Sequence, residues 1–241
     1  MGERFGHEGR FEWTVKCVSP PRGCLWHRVR GSPMATTDVP APLEDVAYAL
    51  RRMMDLLLRV DDDPALGHIT SELHAVSDLL EADFGDERPF EKMLRSDAPR
   101  HDPVSGVENA IAPPIVVEVD NDGTSCGEVV FGLPYQGPKG LLHGGISALI
   151  LDHVLSLENS NNRSGVDNGF LVTAELSLRY HKPVPLFECA TVTARQTSID
   201  GRKVHAAGEI SVDGEVAVSA EGLFIATRIR PADGADEKDG M

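Results

Sequence analysis

Apolar positions recur with two different periods along this chain, and the change of period divides it. Within residues 42–60, "PLEDVAYALRRMMDLLLRV", Leu43, Val46, Leu50, Met53 or Met54 and Leu57 fall three and four apart. That is the stripe of an amphipathic helix. Pro42 suits its first turn, and Glu44 and Asp45 suit the positive end of its dipole. A second helix is predicted after "DDDP", with Asp63 as N-cap, Pro64 at the first helical position and a stripe of Leu66, Ile69, Leu73, Val76 and Leu80. The pair reads as a helical hairpin over residues 41–84. Residues 85–113, rich in Pro, Asp, Arg and Gly, read as a linker.

From residue 114 the period shortens to two. "PIVVEVD" and "CGEVVFGL" predict strands, with Asp122-Gly123 as the turn between them. Residues 142–158 predict one apolar helix, followed by β segments at 169–180, 187–199, 203–212 and 215–227. Asp200-Gly201 and Asp213-Gly214 punctuate the last three as antiparallel hairpins. One helix in an otherwise antiparallel sheet predicts an α+β fold over residues 114–230, with the helix against one sheet face. Residues 1–40 show no period and are read as a disordered leader or an over-extended start ahead of Met34. Residues 231–241, "PADGADEKDGM", read as a disordered tail.

Charge narrows the partners. A formal net charge of −15 over 241 residues argues against a nucleic-acid or anionic-membrane surface. No apolar run reaches the ~18 residues of a membrane helix, and Arg4, His7, Glu8, Arg10 and Glu12 interrupt any signal-peptide core. Four scattered cysteines (Cys17, Cys24, Cys126, Cys189) suggest reduced thiols and a cytoplasmic protein. Cys17, Cys24 and His27 match no zinc spacing, so no metal is expected.

"GLLHGGISALILD", residues 140–152, carries the candidate chemistry. The first amides of a helix lack intrahelical partners and lie at its positive end. Glycine at 144 and 145 leaves those amides open to a carbonyl oxygen, as an oxyanion hole requires. Asp152 interrupts the apolar run, and an unpaired carboxylate buried there would be costly. Gly144 and Asp152 are eight residues apart, about 12 Å along one helix. One carbonyl is beyond the joint reach of both in a single chain. If both act, two antiparallel helices from two chains must build two composite sites about a two-fold axis. In the next strand, strict alternation puts Phe170, Val172, Ala174, Leu176, Leu178 and Tyr180 on one face. Leu171, Thr173, Glu175, Ser177 and Arg179 take the other. Thr173 supplies a hydroxyl suited to orient a water or the aspartate.

"YQGPKGLLHGG…D", "TAELSLRYHKPVPL" and "DGRKVHAAGEIS" with "DGEVAVSAEGLFI" together resemble the hotdog-fold acyl-CoA thioesterases of the PaaI and THEM4-like group, over about residues 114–228. The resemblance implies a long central helix wrapped by a curved antiparallel sheet, preceded here by the helical hairpin. It implies a homodimer or a dimer of dimers with the site at the interface, a role in lipid metabolism, and no cofactor, CoA being part of the substrate. Carried over, Gly144 gives the oxyanion amide, joined by Gly145, and His143 shapes the turn beside the thioester carbonyl. Asp152 is nucleophile or general base, and Thr173 holds the lytic water or the carboxylate. Where some relatives place Asn six residues before the histidine, this chain has Gly137. Lys139, Arg179, Lys182, Arg202 and Lys203 are candidates for the CoA phosphates, against their ordinary role as surface charges. The alternative function is a non-catalytic acyl-CoA binder or sensor, which would not need Asp152 and Thr173 together. A hotdog dehydratase would need an Asp/His pair on another loop.

Overall fold

Two helices precede a six-stranded antiparallel sheet laid against a third helix in the computed structural model, which describes residues 42–61, 63–85, 101–113, 115–119, 124–161 and 170–227. The elements are α1 (Pro42–Leu57), α2 (Ala65–Phe84), β1 (Val116–Val119), β2 (Ser125–Val130), a 3₁₀ turn (Leu133–Tyr135), α3 (Gly144–Asn161), β3 (Phe170–Tyr180), β4 (Cys189–Asp200), β5 (Lys203–Val212) and β6 (Glu215–Thr227). The sheet order is β1-β2-β4-β5-β6-β3, every neighbour antiparallel. This is the expected α+β hotdog arrangement behind an N-terminal helical segment. The leader, the tail, the Asp122-Gly123 turn and the Cys17, Cys24, His27 group lie outside the described residues.

The core is where α3 meets the sheet. Ile150, Leu151, Val154 and Leu155, on one face of α3, are fully buried with Val192, Ile210 and Phe224 of the strands. Each such side chain contributes about 1.5–3 kcal/mol over its exposed state. Two strand glycines let the helix sit this close. A Cβ at Gly208 would lie 3.2 Å from one Leu155 methyl, and a Cβ at Gly222 would lie 3.3 Å from the other. The hairpin turns follow their residues: Gly201 takes φ 57°, and Asp213 and Gly214 take φ 52° and 77°. Two successive left-handed residues make the mirrored turn that matches strand twist.

Five expectations are corrected. β3 does not alternate strictly, because its pairing with β6 shifts register between Thr173 and Glu175. The extra residue of this bulge flips the strand's parity. Leu171 and Thr173 face α3, and beyond the bulge so do Leu176, Leu178 and Tyr180. α1 is a helix, but Leu43, Val46 and Leu50 of its predicted stripe are exposed while Ala47 and Asp55 are buried. Residues 101–113, inside the stretch read as linker, are packed: Val104 and Ala112 are buried, and Val104 belongs to the core. Asp152 is only half-buried. At α2, the helix proper begins at Ala65 rather than at Pro64, and the Asp63 carboxylate accepts the Ala65 amide at 2.8 Å. α2 has no buried residue.

No helix among the described residues is long and apolar enough to cross a membrane.

Candidate active site

The loop that delivers the start of α3 is held from both sides. The Leu142 amide donates to Val184 O at 2.9 Å, and the Leu186 amide donates to Gly140 O at 3.0 Å. On the other side the His143 amide donates to Tyr135 O at 2.9 Å. Gln136 Oε1 accepts the Gly140 amide at 3.0 Å, across a turn in which Gly140 takes φ 75°. Gly137 packs straight onto His143: a Cβ there would lie 2.8 Å from His143 Cα. A side chain at 137, including the Asn of some relatives, has no room without moving the histidine.

His143 is the N-cap of α3. Its carbonyl accepts the Ile146 amide at 2.9 Å, and its Nδ1 accepts the Gly145 amide at 2.9 Å. A cap of this kind satisfies one of the helix's orphan donors. The Gly145 amide is therefore engaged, which removes it as the second donor expected beside Gly144. The Gly144 amide meets no acceptor among the described residues. A Cβ at Gly144 would make ordinary contact, 3.4 Å, with the Tyr180 ring, and Tyr180 Oη donates to Gly144 O at 2.9 Å. Sequence reasoning missed this tyrosine because the bulge moves it to the helix side. A parity change in the apolar residues, odd at Leu171 and even at Leu176 and Leu178, was the available signal.

At the other end of the site, Thr173 Oγ1 donates to Asp152 Oδ1 at 2.9 Å. The hydroxyl fixes one carboxylate oxygen and leaves the other for chemistry. The structure thus brings Asp152 to Thr173, and His143 to Gly144 and Gly145, as two clusters on one helix. Between Gly144 and Asp152 lies the eight-residue spacing, about 12 Å.

A crystal structure of protein RHA08564, a thioesterase superfamily protein, is 44% identical, covers 77% of this chain and is itself covered to 95%, with a TM-score of 0.65. This chain belongs to the thioesterase superfamily. The Thioesterase superfamily family model matches residues 139–218, which hold both clusters. A second model, "Hypothetical protein RHA1_ro05818, N-terminal helical domain", matches residues 34–86. Among curated relatives, acyl-coenzyme A thioesterase THEM4 of Bos taurus is 32% identical over 123 residues, 50% of this chain and 48% of that protein. The Mus musculus THEM4 is 29% identical over 100 residues, 42% of this chain and 41% of that one. The chain spans about half the length of the curated relatives it matches.

In this thioesterase-superfamily chain the candidate cations divide between the two clusters. Lys203 pairs with Ile225 and Ile225 with Val172, so Lys203 lies one row beyond Thr173 in the sheet. Arg202 stands beside it in the hairpin turn. Lys139 lies on the loop before His143, and Arg179 precedes Tyr180 on the sheet's other face. Lys182 is in an ion pair with Glu215. Next to Asp152, His153 points elsewhere: its Nδ1 lies 3.4 Å from Asp102 Oδ1, and its Nε2 is buried without a hydrogen-bond partner. Burial holds the imidazole below its ordinary pKa, against the pull of Asp102 and Asp152. Among the described residues no group of three His, Cys, Asp or Glu side chains is placed to hold a metal.

Proposed function

We propose that the protein hydrolyses an acyl-CoA thioester to the free acid and CoA, at composite sites between two copies of the chain. The observation that carries this reading is the pairing of an unengaged helix-start amide, Gly144, with a carboxylate, Asp152, oriented by Thr173. The amide stabilises the negative charge that grows on the thioester oxygen; losing one such donor costs about 10²–10³ in rate. Asp152 takes a proton from water, whose oxygen bonds to the carbonyl carbon as the C–S bond breaks, and the proton goes to the departing thiolate. Alternatively the Asp152 oxygen itself bonds to the carbonyl carbon as the C–S bond breaks and CoA leaves as the thiolate; water then splits the mixed anhydride to the free acid and the Asp152 carboxylate, its proton going to the thiolate.

The dimer reading is supported by β3. It is an eleven-residue edge strand whose residues are mostly exposed. Long open edges invite pairing with another strand. Antiparallel pairing of β3 with the partner's β3 brings each Gly144 end towards the partner's Asp152 end. It also brings Lys139 and Arg179 towards the partner's Arg202 and Lys203, which then bind the CoA phosphates. The same reading makes the protein a cytoplasmic homodimer of lipid metabolism that needs no cofactor.

The test is free-thiol release from short, long and aromatic acyl-CoAs by wild type and Asp152→Ala. Turnover that collapses in the variant supports the enzyme. Binding of CoA esters without turnover by either protein overturns it in favour of a binder. The composite site is tested by mixing Asp152→Ala with Gly144→Pro chains, each inactive alone. Random re-pairing restores about a quarter of wild-type activity if sites are shared, and none if each chain holds a whole site.

A further inference from the structure

α1 and the turn that ends it meet the rest of the chain through charged residues spaced four apart, Arg51 and Asp55 on the helix and Arg59 in the turn just beyond Leu57. Asp55 is 6% exposed, the most buried carboxylate among the described residues. It is satisfied twice. One oxygen accepts the Leu133 amide at 3.1 Å, and the other pairs with Arg59. Leu133 opens the 3₁₀ turn, so Asp55 caps that turn from a helix 78 residues away in sequence. Gly132 leaves the room: a Cβ there would lie 2.7 Å from Asp55 Oδ1.

The turn so capped ends at Tyr135, whose carbonyl takes the His143 amide. Arg59 reaches the opposite bank of the same loop. Its guanidinium lies 5.4 Å from the centroid of the Phe187 ring, and Phe187 follows Leu186, whose amide holds Gly140 O. α1 and its C-terminal turn therefore grip both strands of chain between which the helix-start loop is suspended. We propose that Asp55 is a positioning residue: by capping the 3₁₀ turn it fixes the loop that places the Gly144 amide at the thioester oxygen. This inference rests on the thioesterase reading above. It makes the N-terminal helix part of the catalytic unit rather than an appendage.

The experiment uses the full chain. It measures kcat and KM for the acyl-CoA that wild type hydrolyses best, and backbone amide exchange over residues 133–147, in wild type, Asp55→Ala and Asp55→Asn. Asparagine keeps an oxygen acceptor for the Leu133 amide. The expected result is a kcat about ten- to a hundred-fold lower in Asp55→Ala, with KM within about two-fold. Exchange over the loop is faster in that variant, and Asp55→Asn returns both readouts close to wild type. An unchanged kcat in folded Asp55→Ala overturns the inference. So does a loss carried by KM alone, and so does an equal loss in both variants, which would trace the effect to charge. Should Asp55→Ala fail to fold, Gly132→Ala decides by pressing a methyl onto the same carboxylate. Reduced kcat with faster loop exchange supports the inference, and unchanged kcat overturns it. If wild type cleaves no acyl-CoA, the thioesterase reading fails separately, and the exchange comparison still decides whether Asp55 fixes the loop.

Discussion

α3 and α1 are both helices that the hydrophobic pattern predicts, yet they obey it in opposite ways. α3 turns one apolar face inward, with Ile150, Leu151, Val154 and Leu155 fully buried, and keeps Asp152 on a half-open face beside the exposed Leu149. α1 leaves Leu43, Val46 and Leu50 exposed and seats Ala47, Arg51 and Asp55 instead. The difference lies in what each helix meets. α3 lies on a sheet whose inner face is itself apolar. α1 lies on turns, where backbone amides and carbonyls need partners: Arg51 donates to Asn109 O at 2.8 Å, and Asp55 accepts from Leu133. A polar docking site selects polar side chains, because a backbone group left buried and unpaired costs about as much as a buried Leu gains, so an apolar residue there brings no net benefit.

The largest effect belongs to α3's first residue. Gly144→Pro removes one N–H at a helix position where proline is tolerated. It should lower kcat by about 10²–10³ while the thermal midpoint stays near wild type. If activity survives, another group stabilises the oxyanion and the start of α3 is merely structural. A single-turnover reaction in ¹⁸O-water sharpens this: label found in Asp152 identifies a mixed anhydride opened by water at the Asp152 carbonyl, and hence nucleophilic attack.

Next comes packing. Leu155→Ala opens a void between α3 and the two strand glycines and should cost about 2–5 kcal/mol in denaturant unfolding. A loss below about 1 kcal/mol would mean that Gly208 and Gly222 let the sheet collapse onto the helix.

How much of this was readable follows the same divide. The strands Lys203–Val212 and Glu215–Thr227 sat at their predicted bounds, because alternation and Asp-Gly turns both mark them. α3 was legible from its apolar run, whereas Thr173, grouped by parity with Glu175, Ser177 and Arg179, is separated from them by the bulge and faces α3 instead. The face of Tyr180 was not legible, since one inserted residue at the bulge inverts every later assignment. Nor was the His143 cap: nothing in "HGG" says that Nδ1 will take the second glycine's amide. The seating of α1 was hidden for a deeper reason. Periodicity reports which face is apolar, whereas docking depends on the hydrogen-bonding needs of a surface 78 residues further on.

Both helices also bury a nitrogen that lacks a hydrogen-bond partner, Arg51 Nε and His153 Nε2. Burial lowers the pKa of each, but the guanidinium stays charged all the same, whereas the imidazole, ordinarily at 6.5, gives up its proton more readily. With a folded pKa below the unfolded one, His153 binds fewer protons in the native state. Stability is then fully present above pH 6.5 and declines as pH falls through that value towards the folded pKa. Thermal midpoints of wild type should therefore drop on acidification by more than those of His153→Gln. Parallel curves would show that the charges of Asp102 and Asp152 offset the burial. Tyr135 supplies the alkaline counterpart beneath α1: burial raises its phenol from 10.0 to about 12, so its contribution is present below pH 10 and is lost as pH rises through 12.

The smallest effect tests the comparison at its origin. Leu50 belongs to the predicted stripe of α1 but is 40% exposed, while Ala47, outside the stripe, is 2% exposed. Leu50→Gln keeps helix propensity nearly constant and should change the unfolding free energy by no more than about 0.5 kcal/mol. Ala47→Leu adds three carbons to a filled interface and should cost about 1–3 kcal/mol. That ordering is the reverse of what the periodic pattern alone demands. If Leu50→Gln is instead the costly change, and its cost grows with protein concentration, the exposed stripe of α1 is covered in an assembly of chains. α1 would then use one face to hold the active-site loop and the other to hold a neighbour.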